Sequence, residues 1–82
     1  MNIQLIQGQF SPDDAIDIIT RMVHIKIKYH ENKINNESNE EDIKTRETKI
    51  KRLQKELFEL RKTVHSKTNS VKVEAFINIE LE

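Results

Sequence analysis

Three histidines, His24, His30 and His65, are the side chains of this chain that change charge near neutral pH without special surroundings. A helical metal site pairs a histidine with a second histidine four residues away, or with a glutamate three residues before it, so that both ligands leave one face. None of the three has such a neighbour. Glu31 follows His30 directly, and side chains one residue apart on a helix diverge. With no cysteine, the chain has no thiolate nucleophile, disulfide or zinc–thiolate site. Its one glycine, Gly8, cannot build a phosphate-cradling loop or a strained elbow under a nucleophilic serine. The carboxylate pairs Asp13-Asp14 and Glu40-Glu41 open helices, where capping accounts for them. We therefore expect no catalytic residue, no metal and no cofactor, and a protein that is not an enzyme; a catalytic role is the weakest of the readings.

The histidines have structural readings of their own. His24 projects away from the apolar arc of its helix, towards solvent. His30 lies inside that arc beside Lys26 and Lys33, and is read as a polar rim where the helical hairpin opens, ahead of a binding site. His65 shares a helical column with Phe58 and is read as ordinary packing.

The cations are the other candidates for chemistry. Lys44, Lys51 and Lys55 approximate one stripe and could contact nucleic acid, with Lys26, Lys28 and Lys33 elsewhere. Against this, 14 basic residues balance 14 acidic ones, Glu47, Glu56 and Glu59 are interleaved, and no aromatic accompanies the stripe to stack on bases. A nucleic-acid-associated regulatory protein, using the basic stripes of a dimer, is thus the alternative function. No basic N-terminal region precedes an apolar run, and no stretch approaches the roughly 18–20 apolar residues of a membrane span. We expect a cytoplasmic protein without a membrane partner.

The elements that must position these residues are organised around residues 43–64. Ile43, Ile50, Leu57 and Val64 recur every seven residues, with Leu53 and Leu60 three after two of them, which makes a helix with a single apolar seam. Its expected span is 39–65, opened by Ser38 and Glu41 at capping-box spacing. Opposite charges four apart, such as Glu40/Lys44, Asp42/Arg46, Glu47/Lys51 and Lys55/Glu59, support it. Upstream, Ser11, Pro12, Asp13 and Asp14 mark the start of a helix over 12–34. It carries Ala15, Ile18, Ile19, Met22, Ile25 and Tyr29 on a broad face, adjoined by Ile16, Val23, Ile27 and Ile34. Residues 23–30 alternate as a strand would, yet no turn signal separates them from the capped helix, and the helical reading is preferred. The polar break at 35–38 suits an antiparallel helical hairpin.

Two strands flank the hairpin, a short one over 2–6 before a turn at Gly8, and a long alternating one over 71–81. The 82 residues make a single α+β domain: a two-layer β-α-α-β unit in which the hairpin packs on a two-stranded antiparallel ribbon. A chain this short buries only about 60–65% of its surface, and a first strand over 2–6 leaves half of the second uncovered. We expect a homodimer to complete the fold, with Ile25, Tyr29, Phe76, Ile77 and Ile79 as candidate interface residues. A parallel coiled coil along 43–64 is disfavoured, because Arg46 and Lys67 occupy seam positions and the flanking charges do not match. The expected function is a small homo-oligomeric protein-interaction or structural module, open to an unidentified protein partner.

Overall fold

The computed structural model describes residues 1–36, 39–67 and 69–82, with the backbone course alone for 65–67. It shows β1 (Asn2–Phe10), α1 (Pro12–Asn36), α2 (Glu40–Lys67) and β2 (Val71–Asn78), an α+β arrangement with an antiparallel two-stranded sheet. No described helix is long and apolar enough to cross a membrane.

Local chemistry sets the boundaries of α1. The Asp14 amide donates to Ser11 Oγ at 3.2 Å and the Ala15 amide to the Ser11 carbonyl at 2.9 Å, so Ser11 caps the helix that Pro12 opens. Residues 23–30 are helical throughout, because an established helix propagates at one hydrogen bond per residue and nothing in the sequence stops it. At the start of α2 the cap is Asn39: its Oδ1 accepts from the Glu41 amide at 2.9 Å and its carbonyl from the Ile43 amide at 3.1 Å. Ser38, expected in that role, lies outside the described residues.

The first strand is longer than 2–6. Gly8 does not turn the chain; it sits within β1 opposite Val73, with φ of 156°, a value that favours glycine, and the strand continues to Phe10 opposite Val71. The two strands therefore pair along the whole of β2, and the expected half-uncovered ribbon does not exist. Leu5 is the extra residue of a β-bulge: Gln4 faces Phe76 and Ile6 faces Ala75. The bulge brings Ile3 and Ile6, three apart in sequence, onto one side. β2 ends at Asn78, short of the expected 81, and a reciprocal pair of backbone hydrogen bonds joins Met1 and Ile79 one step beyond the ladder.

The hairpin is intramolecular and antiparallel. Arg61 reaches Thr20 Oγ1 at 3.3 Å, and Arg46 reaches His30 further along the same interface. The seam faces α1, with Leu57 and Val64 buried and Ile43, Ile50, Leu53 and Leu60 half-buried. On α1 the buried line runs through Ala15, Ile27 and His30, flanked by half-buried Ile16, Ile19, Val23 and Ile34. That line is displaced towards the residues expected only to adjoin the broad face. Ile25 and Tyr29 point outward.

The core is thin. Ala15, Ile27, Leu57, Val64 and Val73 are its buried apolar residues, and among the described residues no large side chain is fully enclosed. The molecule measures 46 × 33 × 13 Å with a radius of gyration of 15.4 Å, where a compact chain of this length would have about 12 Å.

Candidate functional site

Two surfaces concentrate the unusual features. The first is apolar. A groove of about 320 Å³ runs between the helices and β2, lined by Ile19, Met22, Val23, Leu53, Val73 and Ala75, with Lys26 and Glu74 at its margins. Strand alternation carries the same side of β2 onward to Ile77 and Ile79, and Ile3 stands directly opposite Ile77. These three are exposed. Ile25 and Tyr29, 72% and 54% exposed, share a stripe of α1 with Met22, at spacings of three and seven residues. Phe76, 63% exposed, stands opposite Gln4 on the reverse side of the ribbon. The five candidate interface residues are thus all solvent-facing, but Phe76 is on a different face from Ile77 and Ile79.

The second surface is cationic. Lys26, His30, Lys49, Arg52, Leu53 and Glu56 line a cavity of about 290 Å³ between the two helices. Lys26 and His30 come from one turn of α1, at i and i+4; Lys49, Arg52 and Glu56 come from one flank of α2, at i, i+3 and i+7. Arg52 Nε is 3.6 Å from Glu56 Oε1 in an exposed pair, a partnership different from the ones the spacing suggested. Lys44, Lys51 and Lys55 form the expected exposed column, on the side of α2 away from the seam. They do not join the cavity.

His30 is the unexpected member. It is 5% exposed, a buried residue and not a rim, because the rotation of α1 turns it towards α2. Arg46 Nη1 lies 3.1 Å from His30 Nδ1. A guanidinium only donates, so Nδ1 accepts and the neutral ring carries its proton on Nε2. That Nε2 is enclosed and has no hydrogen-bond partner among the described residues. A buried donor left in this state costs about 1–3 kcal/mol. Burial lowers the His30 pKa from 6.5, and the positive charges of Arg46, Lys49 and Lys26 lower it further, so the ring is neutral at pH 7. The Tyr29 ring packs edge-on against it at 5.6 Å, with the Lys33 ammonium and the Arg46 guanidinium 5.7 and 5.8 Å from the Tyr29 centroid.

His24 is exposed, as its position on α1 implied. Phe58 is exposed as well, while the side chain of His65, with which it was paired, lies outside the described residues. Sequence reasoning missed the convergence of Lys26, Lys49 and Arg52 around His30. The signal was a histidine on a helix face otherwise lined with isoleucine. Comparison with family models, with curated proteins and with solved structures gave no match.

Proposed function

We propose that this chain is a non-catalytic, homo-oligomeric interaction or structural module, acting as a two-fold dimer through the groove side of its ribbon. The observation that carries the reading is surface area. The chain exposes 6816 Å², whereas a compact monomer of this mass exposes ~5,100 Å². The excess, ~1,700 Å² per chain, falls in the range that obligate dimers bury on each partner.

The occupant that suits this surface is a second copy. Ile3, Ile77 and Ile79 are exposed, and the apolar groove is lined by Val73 and Ala75 on the same side of the same ribbon. In a two-fold arrangement each ribbon end fills the groove of the other copy, so both are satisfied by one contact. Ile25 and Tyr29 flank the groove and belong to the rim of that interface.

Sedimentation equilibrium and circular dichroism test the reading together. The dimer is expected at micromolar concentration. Ile77→Asp is expected to give a monomer that keeps its helical signal, since Ile77 is 40% exposed in the protomer and outside its core. A wild-type chain that sediments as a stably folded monomer at this concentration sinks the proposal.

A further inference from the structure

The geometry points to the cavity at His30 as a binding site for a dianionic phosphate group, in free phosphate or a phosphate monoester. Three cations, Lys26, Lys49 and Arg52, line it against one carboxylate, Glu56, leaving a net charge of +2 on its wall. This is a local excess in a chain whose formal net charge is +0. A phosphate monoester carries about −1.5 to −2 at neutral pH, so it matches the wall better than a carboxylate, with half the charge, or a phosphodiester.

Hydrogen bonding agrees with the charge count. The lining cations supply only donors, and the groups of a phosphate are three acceptor oxygens. His30 adds a donor of a different kind: a neutral N–H at Nε2, fixed in that tautomer by Arg46 on the far side of the ring, enclosed and without a partner among the described residues. Nε2 has no acceptor among the described residues, and His30 is one of the residues that line the cavity. The glutamate takes part as well. Its contact with Arg52 runs to Nε at 3.6 Å, a long exposed pairing that a phosphate oxygen can outcompete for the guanidinium. Every residue that lines it belongs to one chain, and Lys26 and Leu53 also border the apolar groove.

The test is titration of the intact protein with inorganic phosphate at pH 7.5 in a phosphate-free, low-salt buffer, followed by the nitrogen resonances of the histidine rings. A saturable shift of His30 Nε2 is expected, with weaker or no binding of acetate. Lys49→Gln and Arg52→Gln alter exposed side chains and leave the fold intact, and each is expected to weaken phosphate about tenfold, as for loss of one charge-assisted hydrogen bond. Absence of a saturable His30 shift overturns the inference. So does acetate binding as tightly as phosphate, or undiminished binding by both variants. An oligonucleotide that shifts His30 where inorganic phosphate does not also overturns it, in favour of a phosphodiester ligand.

Discussion

Arg46 Nη1 donates to His30 Nδ1 across 3.1 Å, joining the two helices through the one buried polar side chain of the core among the described residues. The bond fixes the tautomer of the ring and sets a guanidinium charge against it. Burial first, and then the charges of Arg46, Lys49 and Lys26, keep the imidazole neutral in the folded chain.

A pH dependence follows. Because the folded pKa lies below 6.5, the unfolded chain binds more protons than the folded one as the pH falls through this region. The contribution of His30 to stability is complete above pH 6.5 and is lost progressively as the pH drops towards the folded value. Urea midpoints in a phosphate-free buffer are expected to hold above about pH 6.5 and to decline as the pH falls below it, and His30→Gln is expected to flatten that decline. A wild-type profile as flat as that of the variant removes His30 as the source.

Leu57 is one of five buried apolar residues among the described residues, at the centre of the seam. Leu57→Ala is expected to cost about 2–5 kcal/mol, out of a total that for a chain this size is about 4–12 kcal/mol. Leu57→Asp buries a charge without a partner and is expected to unfold the protomer. Chemical denaturation monitored by circular dichroism distinguishes this from loss of dimer alone: Leu57→Asp should lose helix, whereas Ile77→Asp should not.

Gly8 tests whether backbone conformation or space decides a position. A Cβ there would meet only the Phe10 ring, at 3.7 Å, an ordinary contact. The φ of 156° is what an alanine would resist. Gly8→Ala is expected to cost roughly 1–3 kcal/mol, lowering Tm by about 4–8 °C for each kcal/mol. An unchanged Tm would show that the strand relaxes to an ordinary β conformation.

The bulge at Leu5 predicts an asymmetry between deletions. Removing Leu5 leaves Gln4 opposite Phe76 beside Ile6 opposite Ala75, a regular ladder with Ile3 still facing Ile77. Removing Gln7 instead shifts the alternation and turns Ile6 to the wrong side. Deletion of Leu5 is expected to stay within about 1 kcal/mol of wild type, and deletion of Gln7 to be strongly destabilising. Cross-strand nuclear Overhauser contacts between Ile3 and Ile77 report whether the register survives.

Much of this fold was legible in the sequence because its signals are local. Ser11 and Pro12 start α1 by satisfying and omitting backbone donors, which needs no distant residue. The seven-residue spacing of Ile43, Ile50, Leu57 and Val64 defines one helix face, and the alternation after Ser70 defines β2. Where local signals conflicted, the reading slipped. Gly8 looked like a turn because glycine permits one, yet Phe10 and Val71 pair two residues on and hold it in the strand. The adjacent apolar residues Leu5 and Ile6 were the trace of the bulge, visible as a break in alternation.

What the sequence by itself determined is the order and type of four elements, the approximate extent of the two helices, and the single seam that forces α2 against a partner helix. Only the tertiary structure decided how α1 rotates about its axis. Its apolar arc covers half the circumference, so periodicity permits several orientations of similar apolar burial, and packing against both α2 and the ribbon selects one. That choice buries His30, exposes Ile25 and Tyr29, and draws Lys26 towards Lys49 and Arg52 across the hairpin. Residues more than twenty positions apart become one cavity through this rotation, a relation that no spacing along the chain encodes.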